Sequence, residues 1–456
     1  MRYMVLTAIL GLGAGLWLAS CGCGEEEPWS SIDGAEVDTV DDTTAPDAAD
    51  APLDTGADTA ADYTGPPGTG TIRGVVYSPD PPAGADPSLT KFPISGALVY
   101  LSYDPPDPIP EGVYCHECVE LPETVPNDLS ESDGSFVIGG LHAGTYLLVV
   151  QKGEFRRVRP VDVFEDTVTE VPEAATTFPN RYFPASGDDT PSIAVVLGSY
   201  DDMQDIMAKI GLCDIDTDGH AILDTCDHID FYTDEPLGPT SLAALIRDPA
   251  LLARYHIIFI PCSGGGADMA LWNATNRQNV RDWVAAGGKW YVADWSYDFV
   301  EQIFPDFVDF EGNDATIGAA DGLSGSFDTT GHAVDSDLYD WLRDSIGVAP
   351  DGVLFEENWD CIQAIGSVPG TEPDGTPITI TPDVYCEGPV TRDHSCMSPD
   401  APLTLTFPFG CGKVLFTTYH TVGAMGGLHP DLLVQEKILV YMILEIGLCT
   451  EPVIII

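Results

Sequence analysis

The sequence predicts a multidomain protein in which an antiparallel β-sandwich precedes a three-layer α/β domain with a mostly parallel sheet. Three observations carry this reading. Residues 71–175 alternate apolar and polar positions with a period of two, between turn signals such as Ser132-Asp133-Gly134. Residues 254–296 read as buried strand, glycine-rich turn, amphipathic helix, glycine pair and buried strand, the repeating unit of a parallel sheet covered on both faces. Apolar runs at 193–197 and 413–420, each followed by a helical stripe, supply a first and a last strand of the same kind.

Taken in order, residues 1–20 hold a lone Arg2, an apolar run from Val5 to Leu18, and small residues before Cys21. That is a secretory signal with a core too short for a comfortable membrane span. Leu18-Ala19-Ser20-Cys21 resembles the lipobox of bacterial lipoproteins. The resemblance implies cleavage before Cys21, lipid on its sulfur and new amino group, and an exported chain anchored to the cell envelope. Gly22 in place of Asp is the outer-membrane sorting pattern of enterobacteria; which face of the membrane carries the chain stays open.

Residues 21–70 change composition abruptly. Thirteen Asp and Glu fall between Glu25 and Asp62, among Ala, Thr, Pro and Gly, with no Lys or Arg. Such a segment buries little and repels itself, so it is expected to be an extended, disordered tether. The whole chain carries 73 acidic and 18 basic residues, net −55. That sign excludes nucleic acid and direct adhesion to anionic headgroups, and it is compatible with divalent cations or a high-salt habitat. Lys152, Arg156, Arg157 and Arg159 form one basic window, read either as contacts to an acidic neighbouring domain or as a solvated strand edge.

Within 71–175, Gly74-Val75-Val76, Ile94-Ser95-Gly96-Ala97-Leu98-Val99, Asp133-Gly134-Ser135-Phe136 and Leu141-His142-Ala143-Gly144-Thr145-Tyr146 resemble the carboxypeptidase regulatory-like (transthyretin-like) domain. The resemblance implies a non-catalytic structural or recognition module, sometimes linked to carbohydrate binding, and supplies no site residues. An insertion at 105–129 carries Cys115-His116-Glu117-Cys118. No second ligand pair lies nearby for zinc, and no thioredoxin-like helix follows, so a local Cys115–Cys118 disulfide is expected. Of the 12 cysteines, Cys213 with Cys226 and Cys386 with Cys396 are the other local pairs expected in an oxidising compartment.

Residues 192–450 form the larger domain, with insertions near 213–240 and 312–405. The strand at 193–197, the 254–296 unit and the final strand and helix together resemble the class I glutamine amidotransferase-like fold, a flavodoxin-like sheet. Catalytic members place a Cys on a tight strand-to-helix elbow, with His and Glu near the end of the domain. The corresponding turn reads Ala293-Asp294-Trp295-Ser296-Tyr297-Asp298, without cysteine and without the glycines of a strained elbow. Ser296 is a substitute nucleophile or a helix cap. Cys262, in the glycine-rich turn after the preceding strand, is a nucleophile, a buried apolar residue or half of a disulfide with Cys411. His420 stands in the place of the family histidine, and Glu436 opens the following helix as its orienter. The resemblance therefore implies a fold kept and a chemistry lost or changed.

One insertion holds Asp214, Asp216, Asp218 and Gly219 in a D-x-D-x-D-G loop, with Asp224 near its end. Alternate carboxylates followed by glycine are the opening of a calcium loop, although Thr225 stands where a bidentate Glu belongs. No motif requires a cofactor, and calcium is the one ion the sequence provides a loop for. The expected function is a lipid-anchored, non-catalytic binding or structural unit for a glycan, a peptidoglycan fragment or an envelope protein. The alternatives are a hydrolase or amidase using Cys262 or Ser296 with His420, and a calcium-dependent adhesive module.

Overall fold

The computed structural model describes residues 67–116, 121–122, 124–263, 266–319, 325–391, 396–421, 431–447 and 452–455. The signal segment, Cys21, nearly all of the tether, and Cys118 lie outside the described residues. Asp62–Ile456 forms one compact unit. Among the described residues, no helix is long and apolar enough to cross a membrane.

The first part of this unit is two small sheets on one core. One holds the strands Ser135–Leu141, Gly70–Val75 and Val168–Glu170, in that order. The other runs Asn127–Leu129, Leu98–Ser102, Gly144–Lys152, Phe155–Val163 and Asp188–Asp189. The period-two apolar positions of both sheets, Ile72, Val99, Leu101, Phe136, Ile138, Leu148, Val150 and Val161, fall in a single core cluster. Alternation therefore turns one face of each sheet inward, and the two faces bury each other.

The second part is a nine-stranded sheet. Its parallel half contains Ile193–Leu197, Ile229–Thr233, Ile257–Ile260, Lys289–Ala293 and Gly412–Thr417. Numbered along the chain, these five lie in the order 2-1-3-4-5. Side chains of one parity (Val195, Ile257, Phe259, Tyr291, Leu415) enter the same cluster as the two small sheets, through the helix Val434–Ile446. The other parity (Ala194, Ile258, Ile260, Trp290, Val292, Val414) packs under the helix Ala274–Ala285. Burial on both faces is why these strands are apolar throughout.

The antiparallel half was not legible. Within the insertion near 312–405, residues 369–402 are dense in Pro, Asp and Thr and carry no strand periodicity, yet Asp383–Thr391 and Met397–Phe409 form a long hairpin that extends the sheet. Pairing along it slips between Val384 and Cys386, Cys386 and Glu387, and Gly388 and Val390; such bulges accommodate prolines that a regular ladder rejects. Among the described residues strand outweighs helix, 36% to 21%, where the larger domain was expected to alternate them. Asn273 caps the helix Ala274–Ala285, its side chain accepting the Thr275 N–H.

Buried ionic contacts tie the two parts together. The tight turn joining Gly144–Lys152 to Phe155–Val163 carries Lys152 and Glu154 into the larger domain. Lys152 Nζ meets Glu445 at 2.5 Å, and Glu154 meets Lys289 Nζ at 2.6 Å, with both Glu154 and Lys289 1% exposed. Of the basic window, Lys152 thus contacts the neighbouring domain, while Arg156 pairs with Asp189, and Arg157 and Arg159 with Asp188. Trp341 Nε1 donates to the Pro93 carbonyl at 2.9 Å. The Cys115–Cys411 disulfide joins residues 296 apart.

That disulfide corrects two expectations: Cys115 does not pair with Cys118, and Cys411 does not pair with Cys262. Cys396 bonds Cys361, and Cys386 is a buried free thiol, so the local Cys386–Cys396 pair is also corrected. Proximity in sequence misled because Cys386 lies inside a strand with its side chain in the core. Cys213–Cys226 forms as expected, with Cα atoms 4.1 Å apart.

Candidate functional site

Three adjacent parallel strands end at one crest, and the turn after each delivers a side chain to a common centre. Cys262 follows Ile257–Ile260, Asp294 follows Lys289–Ala293, and His420 follows Gly412–Thr417. The sulfur, a carboxylate oxygen and a ring nitrogen all lie within 4.8 Å of one another, and all three residues are buried. Crests of doubly wound sheets are where ligands bind, because the turns there are free to vary while the strands hold them.

The elbow after Lys289–Ala293 closes without glycine. Asp294 takes φ 46°, a left-handed conformation that costs a non-glycine residue on the order of 1 kcal/mol or more. Glu357 does the same at φ 56°. These two strained residues are the two carboxylates that flank the His420 ring: Asp294 Oδ2 is 3.0 Å from Nε2, and Glu357 Oε2 is 3.3 Å from Nδ1. Asp294 Oδ1 accepts the N–H groups of Trp359 and Asp360 at 2.9 and 3.0 Å. Its other oxygen and His420 Nε2 are within ion-pair distance, yet their alignment does not make a hydrogen bond. Asp201, also buried, accepts the Thr421 N–H and hydroxyl through Oδ1.

Burial pushes the Cys262 thiol well above its usual range, and the charges of Asp294 and Asp201 push the same way. A thiol held protonated is a poor nucleophile. Burial likewise raises the Asp294 and Asp201 carboxyls, with His420 pulling against it. For His420, burial disfavours the cation, but Asp294, Asp201 and Glu357 outweigh it and take the ring to about 9.

The remaining expected site residues are placed elsewhere. The Ser296 hydroxyl is buried and donates to the Pro261 carbonyl at 2.7 Å, which holds it in the turn. Glu436 is not the orienter of His420: it pairs with Lys209 at 3.3 Å and accepts the Leu433 N–H at 2.7 Å, capping its own helix. A carboxylate in the first turn of a helix is drawn to those free N–H groups. Glu357 from the antiparallel half takes the orienter's place.

In the D-x-D-x-D-G loop, Asp214 pairs with Arg181 at 3.1 Å, and Asp216 Oδ1 accepts the N–H groups of Asp218 and His220. Among the described residues, the only group of three or more such side chains with converging ligand atoms is the crest centre, so Asp214, Asp216, Asp218 and Asp224 are not brought together. A cavity lined by Glu111, His228, Asp230, Arg254 and Tyr255 sits at the opposite ends of the strands and is no part of the crest.

Sequence reasoning missed Asp201, Glu357 and Asp360, and named Asp294 only as part of the turn after the strand. One signal was present: each buried crest aspartate adjoins an aromatic residue, in Tyr200-Asp201, Asp294-Trp295 and Trp359-Asp360. The aromatics meet one another above the acids. Trp295 and Trp359 stack with centroids 5.3 Å apart and 18° between planes, and Tyr200, 51% exposed, lies 5.7 Å from Trp295.

No family model matches the chain, and no curated protein matches it. Among solved structures, it is similar to a putative ThuA-like protein from Bacteroides uniformis, at 10% identity over 57% of this chain and 93% of that one, with a TM-score of 0.31. A cytoplasmic protein of Salmonella typhimurium, STM3548, matches at 13% identity over 48% of this chain and 80% of its own, TM-score 0.29. A cold-adapted β-galactosidase from Rahnella sp. R3 matches at 9% identity over 52% and 30%, TM-score 0.25. Scores this low establish neither a shared fold nor a shared activity.

Proposed function

We propose that the chain is an exported, lipid-anchored glycan-binding unit, with a transthyretin-like sandwich bracing a flavodoxin-like domain whose crest receives a neutral saccharide. The observation that supports this is the Tyr200–Trp295–Trp359 cluster. Stacked, partly exposed aromatic faces offer an apolar surface matched to the C–H face of a sugar ring. The strand order 2-1-3-4-5 supports the flavodoxin-like reading, since its switch point lies between Ile193–Leu197 and Ile257–Ile260, the strands that lead to Tyr200 and Cys262. A net charge of −55 disfavours polyanionic polymers and leaves neutral glycans as the ligand class. The test is a glycan array with the purified chain, followed by calorimetry on the best neutral oligosaccharide. Trp359→Ala is expected to weaken binding at least tenfold; unchanged affinity, or no neutral glycan bound, refutes the proposal.

A second reading, hydrolysis, is favoured by the strained elbow. Asp294, in place of Cys262 or Ser296, is then the nucleophile, with His420 and Glu357 as base and orienter. Turnover of an ester or glycoside that Asp294→Asn abolishes would favour it over binding alone.

A further inference from the structure

We infer that Cys262, Asp294 and His420 bind a divalent transition metal of the zinc class at the sheet crest. The inference is independent of the glycan reading and rests on four observations of the same centre.

The first is the donor set and its spacing. A thiol, a carboxylate and an imidazole are the side chains zinc takes, whereas calcium and magnesium take oxygen alone. Donors bound tetrahedrally at the usual zinc distances are about 3.3–3.8 Å apart. The three atoms already lie within 4.8 Å of one another, and Asp294 Oδ2 and His420 Nε2 within 3.0 Å. Small side-chain adjustments therefore bring all three onto one ion.

The second is the direction of those atoms. A carboxylate and an imidazole that existed to bond each other would align the N–H with the oxygen. Asp294 Oδ2 and His420 Nε2 instead sit side by side without an aligned hydrogen bond, in a region closed to solvent. Two donors converging on a third atom have this geometry.

The third is the set of groups behind the donors. Ligating histidines hand their other ring nitrogen to a carboxylate, and ligating carboxylates are themselves held by hydrogen bonds. His420 Nδ1 faces Glu357 at 3.3 Å, and Asp294 Oδ1 is held by two backbone N–H groups. In each residue the atom turned away from the centre is engaged, and the atom turned toward it is left over.

The fourth is charge. Asp201 and Asp294 are buried about a single imidazole. Buried charges are paired or coordinate metals, and a dication supplies what His420 alone does not. Asp201 Oδ2 has no aligned hydrogen-bond partner, the Cys262 N–H being the backbone group directed at that carboxylate. It is placed to complete the coordination or to hold a metal-bound water. Three protein ligands with a fourth position for water is the pattern of reactive rather than structural zinc sites. Position also favours the assignment: three neighbouring strands fix the ligands, so little ordering accompanies binding.

The experiment uses the purified full chain without a polyhistidine tag, stripped by a chelator and titrated with zinc, then with cobalt(II) as a spectroscopic probe. The expected result is about one equivalent of zinc retained after gel filtration, and for cobalt a near-ultraviolet thiolate-to-metal charge-transfer band. Cys262→Ser should remove that band. Glu357→Gln touches no metal and should keep the fold while weakening zinc about 10–100-fold, the usual effect of losing a carboxylate behind a histidine ligand. Trp359→Ala should bind zinc normally. Folded protein that binds no metal at micromolar concentration overturns the inference, as does a cobalt band that survives in folded Cys262→Ser. Wild-type zinc affinity in Glu357→Gln overturns the assigned geometry.

Discussion

Replacing Lys289 with methionine should cost the protein several kcal/mol, and the cost should depend on pH in a way only a buried ion pair produces. Lys289 and Glu154 meet at 2.6 Å with both side chains 1% exposed. Burial alone raises the Glu154 carboxyl, but Lys289, with the His116 and His256 rings, overcomes this and holds it well below the usual range. Removing Lys289 leaves a carboxylate in the core beside His116, whose Nδ1 is 3.7 Å away. Breaking a buried pair by deleting one partner typically costs about 3–5 kcal/mol. Protonation sets a ceiling on the charge part: neutralising a carboxyl of ordinary pKa near 4.3 at pH 7 requires about 3.7 kcal/mol.

The two proteins then differ by one bound proton in the folded state. In the wild type the folded pKa is depressed, so the pair's contribution is present above the unfolded pKa and is lost only as pH falls through the lower folded value. In Lys289→Met the carboxyl is protonated when folded, so its penalty grows with pH. The deficit should therefore shrink by about 1.4 kcal/mol per pH unit, or about 2.7 kcal/mol between pH 7 and pH 5. With about 2.1 cal/mol/K of unfolding entropy per residue over Asp62–Ile456, a loss of 4 kcal/mol lowers Tm by about 5 °C. Urea unfolding at pH 5, 6 and 7 measures it, with Glu154→Met/Lys289→Met expected to recover most of the loss. A deficit below about 1 kcal/mol at pH 7, or one that does not change with pH, would refute the account of how the two small sheets are held.

Two further predictions concern the cysteines. Non-reducing peptide mapping should recover Cys115 linked to Cys411 and Cys361 linked to Cys396, with Cys262 and Cys386 alkylated only after denaturation; a Cys386–Cys396 link would contradict the hairpin. Cys213→Ser opens a short ring and should lower stability by about 3 kcal/mol on loop-entropy reasoning, read by urea unfolding, while an unchanged midpoint would show that the loop is held by Arg181 instead.

Much of the crest was visible one residue at a time. Cys262, Ser296 and His420 were each marked from the strands that precede them, because strand-to-turn boundaries are local and apolar runs such as 257–260 are unmistakable. Their roles were not visible. The elbow was judged by the glycines it lacked, yet Asp294 adopts the left-handed conformation itself, paid for by two backbone N–H groups that arrive from residues 359 and 360. Glu436 was taken as the partner of His420 because the amidotransferase-like resemblance places a Glu after that histidine near the end of the domain, and the helix terminus claimed it first.

By itself the sequence determines the period-two strands of 71–175, the fully buried parallel strands of the larger domain and the acidic net charge. The strands depend on residues within a few positions of one another, where the backbone's own periodicity leaves little choice, and the charge is a plain sum over the chain. Tertiary structure alone decides that Cys115 reaches Cys411, that Glu154 meets Lys289, and that Glu357 closes on His420. Those contacts join positions 296, 135 and 63 residues apart. No local pattern encodes them, because a thiol, an ammonium or a carboxylate finds its partner only after packing has removed water as the alternative.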